Sequence, residues 1–330
     1  MSNDRRDSIA TRAVAAPALD ITILIPAYNE AESLPELHAR LTEVLTRMGR
    51  SYEILFVDDG STDGTAALLA QLAARDCHVG ALVFRRNAGK SAGLAAGFEA
   101  ARGAYIVTMD ADLQDDPEEV PNLVARVEHD VDVVSGWKFK RHDPLTKTLP
   151  SKIFNAVVSS STGVHLHDMN CGLKAYKREV VKTVRVYGEL HRFIPVLAAW
   201  EGFTIGEEKV QHHARKHGRS KFGAARFLNG FLDLIAVLFL TRGGASPLHF
   251  FGRIGTVCFG SGLAICTYFA GYWLTGHALR VRPMLILGLV LIMLAMQFVS
   301  LGLLGEMIAR PQRKAGVALR ARLGCAREDA

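Results

Sequence analysis

Asp110, Asp112 and Gln114 are oxygen-bearing side chains at alternate positions of the stretch Asp110-Ala111-Asp112-Leu113-Gln114. The residues before them, Tyr105–Met109, are apolar and partly β-branched, which predicts a short buried strand ending where the carboxylates begin. Side chains two apart in an extended segment point the same way. On that geometry the three residues offer three oxygens to one hard divalent cation, with water and phosphate oxygens completing its shell. An open parallel sheet collects ligands at the carboxyl ends of its strands, and this cluster sits at one. The plainer reading is a solvated acidic loop ahead of a helix opened by Asp116-Pro117-Glu118-Glu119.

The elements that would position this cluster follow from periodicity. Ile21–Ile25, Tyr52–Val57, Val79–Phe84 and Tyr105–Met109 read as strands, and Asp132–Gly136 as a further one. Amphipathic or Ala-rich helices are expected after the first three, ending near Met48, Ala74 and Ala101. Strand alternating with helix predicts an α/β domain with a mostly parallel, Rossmann-like sheet.

Each strand runs into residues suited to polar ligands. Asp58 and Asp59 can accept hydrogen bonds from a nucleobase or ribose, and Lys90, near a helix start, can meet a phosphate. Gly89-Lys90-Ser91 is not a nucleotide-triphosphatase phosphate loop, because the required earlier glycine is replaced by Phe84. No G-x-G-x-x-G follows the first strand, which disfavours a dinucleotide fold.

Four segments together are more specific: Pro26-Ala27-Tyr28-Asn29-Glu30, Val57–Thr65, Asn87-Ala88-Gly89-Lys90 and Asp110–Gln114. In order and spacing they resemble the signatures of family 2 inverting glycosyltransferases with the GT-A fold. Asp110-Ala111-Asp112-Leu113-Gln114 is similar to the branch containing dolichol-phosphate mannose synthase and bacterial undecaprenyl-phosphate glucosyltransferases. The resemblance implies that Pro26, Ala27, Tyr28, Glu30, Asp58, Asp59, Lys90 and Ala111 hold a nucleotide-sugar donor. It implies that Asp110, Asp112 and Gln114 hold Mg²⁺ or Mn²⁺ on the donor diphosphate, with Asp112 catalytic in that sense.

The middle of the chain carries the acceptor expectations. Lys138–Lys147 and Ser151-Lys152 form a basic stretch without acidic balance, read as an anion site or as a solvated loop. By resemblance, Arg141, Lys147, Ser151, Lys152, His191 and Arg192 are candidates for a polyprenyl-phosphate acceptor. Asp168 stands where related transferases carry an acidic residue near the acceptor, in many of them a base. A phosphate monoester with a second pKa near 6 is already a nucleophilic oxyanion, so Asp168 is expected to position, or simply to cap a turn. The basic, histidine-rich segment Gln211–Phe222 resembles a loop that closes over the donor diphosphate, with Arg215, Ser220 and Lys221 meeting phosphate oxygens.

The C-terminal third turns apolar. Residues 224–242 carry a polar face of Arg226, Asn229, Gly230 and Asp233, which predicts an interfacial helix. Ile254–Leu274 and Pro283–Leu304 are uncharged runs, each long enough to cross a hydrocarbon core of roughly 30 Å. A short link makes them a transmembrane hairpin within residues 243–308. Arg253 and the basic tail, residues 309–330, place both termini and the catalytic domain, residues 21–223, on the cytoplasmic side of the inner membrane.

Composition agrees with a membrane partner. Net charge is +6, with basic residues clustered as suits phosphate ligands or an anionic bilayer, and no nucleic-acid motif occurs. The five cysteines show no C-x-x-C pairing and no zinc spacing, as expected for a reduced compartment. Residues 1–20 lack the apolar run of a signal peptide and read as a disordered leader. The reaction expected is inverting transfer of one sugar, UDP-glucose being the foremost donor, to undecaprenyl phosphate, by a homo-oligomer for which the family suggests a tetramer. The alternatives are a GDP-mannose-using synthase, a processive polysaccharide synthase, disfavoured because no Arg-Trp pair occurs, and a non-catalytic assembly module.

Overall fold

The computed structural model describes residues 19–139, 155, 157–188, 190–213, 247–276, 283–309 and 319–324. They fall into two compact units, one built on an eight-stranded sheet and one on two long apolar helices.

The expected strand–helix alternation is present: β1 (Leu19–Ala27), α1 (Leu34–Met48), β2 (Tyr52–Asp58), α2 (Thr65–Arg75), β3 (Val79–Phe84), α3 (Lys90–Ala100) and β4 (Gly103–Thr108). After these come α4 (Val120–His129), β5 (Val133–Lys138), β6 (Lys174–Lys177), α5 (Arg178–Thr183), α6 (Ile194–Trp200) and β7 (Ile205–Val210). Strand order is β7-β5-β6-β4-β1-β2-β3, closed at one edge by β8 (Leu319–Gly324). β1 pairs in parallel with β2 and β4, β2 with β3, and β5 with β7. β6 enters antiparallel between β4 and β5. β8 lies antiparallel on β3, so part of the segment read as a basic tail is an edge strand of the sheet.

Alternation along β1 divides the core into two layers. Ile21, Ile23 and Ile25 join a cluster with Leu34, Leu37 and Leu41 of α1 and Leu123 of α4. Leu24 faces the other side, with Leu94 and Phe98 of α3 and Val180 of α5. Strands covered on both faces read as continuous apolar runs, which is why β1 to β3 were legible. The sequence stops the first strand at Pro26, yet β1 continues to Ala27. Proline is tolerated near a strand end because only one ladder donor is lost there.

A buried polar network ties the amino ends of β1, β2 and β4. Glu53 is 1% exposed and accepts from the Thr22 hydroxyl at 2.7 Å, the Arg102 amide at 2.8 Å and the Arg102 Nε at 2.8 Å. The Thr22 Oγ1 accepts in turn from Gly103 N–H at 2.8 Å.

In the second unit, α7 (Pro247–Leu274) and α8 (Pro283–Ala309) are long and apolar enough to cross a membrane. Their large side chains face outward: Val257 is 69% and Met293 63% exposed, a surface that lipid would cover and water would not. They meet through glycine. A Cβ on Gly262 would stand 2.7 Å from the Gly288 carbonyl oxygen, so only a bare backbone permits this approach. The expected interfacial helix at 224–242 lies outside the described residues.

Replacing Glu53 with Leu strands the Arg102 and Thr22 donors. The expected cost is about 1–3 kcal/mol, seen as a fall of several degrees in the apparent melting temperature of the purified protein. An unchanged melting temperature would show that the network contributes nothing to stability.

Candidate active site

The carboxyl ends of β1, β2, β3 and β4 release the loops that carry most of the predicted chemistry. β1 lies between β2 and β4, so its connections and those of β4 leave in opposite directions. Such a switch point opens a crevice beyond the strand ends. A cavity of about 110 Å³ lies there, lined among others by Lys90, Asp110, Asn170, Lys174, His191 and Arg192.

Asp110 is the centre of this site. Its Oδ1 lies 2.5 Å from the Lys90 Nζ at the start of α3. Burial works to raise the Asp110 pKa, but the Lys90 ammonium outweighs it and leaves the carboxyl at about 2. The carboxylate is thus ionised at every working pH. Gly172 lets the backbone before β6 come this close, since a Cβ there would stand 2.5 Å from Asp110 Oδ2. Thr108 Oγ1 holds the same backbone by donating to the Gly172 carbonyl at 2.9 Å.

The extended geometry expected for Asp110–Gln114 is not what forms. The segment is a turn, and Leu113 has φ of 59°, a conformation uncommon for a branched residue. Gln114 N–H donates to Asp112 Oδ1 at 3.3 Å, and Asp112 is 8% exposed. The segment curves rather than extends, so the two-residue alternation argument does not apply. The plainer reading also has its counterpart: Asp116 caps Pro117–Glu119 by accepting from Glu118 N–H at 3.1 Å.

The segment after β7 is stitched to this turn. His213 N–H donates to the Gln114 carbonyl at 2.9 Å, and the Gln114 side-chain amide donates to the His213 carbonyl at 3.4 Å. His213 Nε2 lies 2.7 Å from Asp116 Oδ2, whose other oxygen accepts from Arg40 at 2.7 Å. The start of the expected donor loop is anchored here. Arg215, Ser220 and Lys221 lie outside the described residues, as do the acceptor candidates Arg141, Lys147, Ser151 and Lys152.

The two neighbouring aspartates divide their roles. Asp59 uses both oxygens on backbone, accepting from Ala88 N–H at 2.7 Å and Gly89 N–H at 2.9 Å. It thereby sets the loop that presents Lys90. Asp58 spends Oδ1 on Ser61, while its Oδ2 is buried without a hydrogen-bond partner among the described residues. A buried carboxylate oxygen in that state is an acceptor suited to a ligand. The segment after β1 is clamped to the same loop: Asn29, at φ 54°, receives the Thr62 N–H at 2.8 Å, and its own N–H donates to Ser61 Oγ at 2.8 Å. Glu30 N–H reaches Thr65 Oγ1 at 3.1 Å. Pro26 lines the cavity, while Ala27 and Ala111 are buried beside these loops.

On the other wall, His191 Nδ1 lies 2.9 Å from Ser91 Oγ on α3. Burial, helped by the charges of Lys90, Arg192 and Lys174, pushes His191 down to about 3, so it is neutral. Asp168 is 1% exposed and accepts from Asn170 N–H at 3.2 Å, capping the turn that leads into β6. Lys138 and Lys174 were not singled out from the sequence. Lys138 Nζ lies 3.2 Å from Asp115 Oδ1, and that carboxylate holds its pKa up against burial. Lys174 is 4% exposed and donates to the carbonyls of Cys171 and Met169. In the sequence Lys138 opens the basic stretch read as an anion site, and Lys174 is a lysine at the start of an otherwise unmarked strand.

Residues 22–185 match the model of glycosyl transferase family 2. The chain is 38% identical over 299 residues to the dodecaprenyl-phosphate galacturonate synthase of Rhizobium johnstonii, covering 89% of this chain and 88% of that protein. The chain belongs to glycosyl transferase family 2. Another relative is the undecaprenyl-phosphate 4-deoxy-4-formamido-L-arabinose transferase of Pseudomonas aeruginosa, 38% identical over 298 residues, with 88% and 85% covered. Among solved structures, glucosyl-3-phosphoglycerate synthase from Mycobacterium tuberculosis, in complex with Mn²⁺ and uridine-diphosphate-glucose, matches with a TM-score of 0.52. That match has 20% identity and covers 68% of this chain and 80% of that one, a likeness of GT-A fold. The sheet unit is thus the glycosyltransferase unit of a family 2 enzyme.

Lys90→Met removes the cation that keeps Asp110 ionised. Turnover of donor should fall by about 10²-fold or more, and the acid limb of the pH–rate profile should move to higher pH, because burial of Asp110 is then opposed only by the charges of Lys138 and Lys174. A profile superimposable on that of the unaltered enzyme would remove this role for Lys90.

Proposed function

We propose that the protein transfers a single sugar from a nucleotide-sugar donor to a polyprenyl phosphate at the cytoplasmic face of a membrane, inverting the anomeric carbon. The Lys90–Asp110 pair beside the cavity at the β1/β4 switch point carries this reading. It sets an ionised carboxylate and an ammonium side by side where a donor diphosphate would lie. The lipid acceptor is supported by near full-length similarity to two enzymes named for polyprenyl-phosphate acceptors, and by two helices apolar enough to cross a bilayer.

The residues present suit a hard divalent cation. Asp110, Asp112 and Gln114 share one turn and offer oxygen alone, the donor set of Mg²⁺ and Mn²⁺. When bound, such an ion supplies positive charge to the leaving diphosphate. Asp58 would accept from the nucleotide through Oδ2, and Lys90 would stand against phosphate. An oxygen of the lipid phosphate forms the new bond to the anomeric carbon as the bond to the nucleotide's terminal phosphate oxygen breaks. The attacking phosphate is an oxyanion at neutral pH, so no residue need act as base, and the turn-capping position of Asp168 accords with that. His191, being neutral, can hydrogen-bond a sugar or phosphate oxygen without adding charge.

The foremost donor expected from sequence is UDP-glucose. The two relatives are named for galacturonate and 4-deoxy-4-formamido-L-arabinose, so the donor we propose is a UDP-linked sugar of wider identity. Detergent-solubilised enzyme, undecaprenyl phosphate, Mn²⁺ and a panel of labelled UDP- and GDP-sugars, followed by lipid extraction, test the proposal. One UDP-sugar should appear in the lipid fraction as a monoglycosyl phosphate, and Asp112→Asn should abolish its formation. Label in no lipid with any donor, or full turnover by the variant, would overturn the transfer or the metal role respectively.

A further inference from the structure

A second cluster of ligating side chains lies away from the proposed active site. Asp76, Cys77 and His78 make the connection from α2 into β3, at the amino end of that strand. The Asp110 turn, by contrast, lies beyond the carboxyl end of β4. A carboxylate oxygen, the thiol sulfur and an imidazole nitrogen of the three consecutive residues all lie within 4.8 Å of one another. We propose that Asp76, Cys77 and His78 form a binding site for a borderline-soft divalent cation of the Zn²⁺ kind, with His38 orienting Asp76 from α1.

The spacing suits the ion. Four-coordinate Zn²⁺ with bonds of about 2.0–2.3 Å has ligand atoms about 3.3–3.7 Å apart. Cys77 Sγ lies 3.7 Å from His78 Nδ1, and His78 Nδ1 lies 2.9 Å from Asp76 Oδ1. The first pair needs no movement, and the second opens by less than an ångström.

The surroundings hold the donors in place. Asp76 Oδ1 also accepts from His78 N–H at 2.9 Å, folding the carboxylate over its own loop. Asp76 Oδ2 lies 2.9 Å from His38 Nε2, an imidazole from a helix remote in sequence. A partner of this kind on the free oxygen of a ligating carboxylate fixes its direction and typically strengthens metal binding by tenfold or more. The His78 ring is stacked on Tyr52 at 4.4 Å and 16° between planes, which sets the direction of its nitrogens. Cys77 is exposed and the His78 side chain is 45% exposed, so an ion can enter without opening the core.

The donor set also selects the ion. One thiolate, one imidazole and one carboxylate favour Zn²⁺ over Mg²⁺ or Mn²⁺, which prefer oxygen alone. The proposed catalytic turn has the opposite preference, so the two sites would not compete for one metal. On binding, the thiol proton is released to solvent as sulfur bonds the ion, and water completes the fourth position. The ion would tie the α2–β3 connection to itself and, through His38, to α1.

The test uses the purified full-length chain, stripped of metal and titrated with Co²⁺ and then Zn²⁺. One equivalent of Co²⁺ should produce a thiolate-to-cobalt charge-transfer absorption, and one equivalent of Zn²⁺ should displace it. Cys77→Ser, a near-isosteric change at the surface, should abolish the band while sugar transfer supported by Mn²⁺ is retained. His38→Ala should keep the band and weaken affinity by about tenfold or more. Absence of the band in the unaltered protein would overturn the proposal. A band that survives Cys77→Ser would assign it to another cysteine and overturn it equally. Unchanged affinity in His38→Ala would refute the orienting role.

Discussion

The contact between Lys90 and Asp110 is the constraint around which the sheet unit is arranged. Both side chains are half-buried at the cavity, and each charge favours the ionised form of the other. The pair joins two loops that leave different strands, one after β3 and one after β4. Its geometry rests on neighbouring supports. Asp59 grips the amides of Ala88 and Gly89, Gly172 lets the facing backbone approach, and Ser91 meets His191 across the cavity.

Around the pair the site accumulates buried charge that a merely structural core would avoid. Lys138 answers Asp115, while Lys174 donates to carbonyl oxygens, and burial lowers its pKa. Asp58 keeps one oxygen without a partner, and Leu113 stands in a left-handed turn. Unmet polar capacity and backbone strain at this end of the sheet are features that accompany ligand sites. At the opposite end of the same strands Glu53, Thr22, Arg102 and Gly103 are joined by hydrogen bonds.

The two units answer to different solvents. In the sheet unit apolar residues face inward on both sides of the strands, and charge lies at the loops. In the helical unit large apolar residues face outward, and Gly255, Gly262 and Gly288 face the partner helix. In lipid there is no hydrophobic force to drive helices together, so close backbone packing does it. The two runs are legible as spans in the sequence through their uninterrupted apolar length.

The sequence by itself determined the strands that are buried on both faces, the helices between them, the family resemblance in four loop motifs, and the two apolar spans. These are local properties: periodicity, turn residues and uninterrupted hydrophobic length. It did not determine that Asp110–Gln114 would curl, because the left-handed Leu113 has no residue-type signal. It did not find β6, a four-residue strand whose place between β4 and β5 comes only from pairing at long range, nor β8, set on β3 from the far end of the chain. The same distinction separates the two candidate metal sites. Asp110, Asp112 and Gln114 announce themselves by spacing, whereas Asp76, Cys77 and His78 become a site when folding brings His38 onto the carboxylate and Tyr52 onto the imidazole. Spacing along a chain encodes what one segment can present, and only the packing of distant segments decides which donors meet.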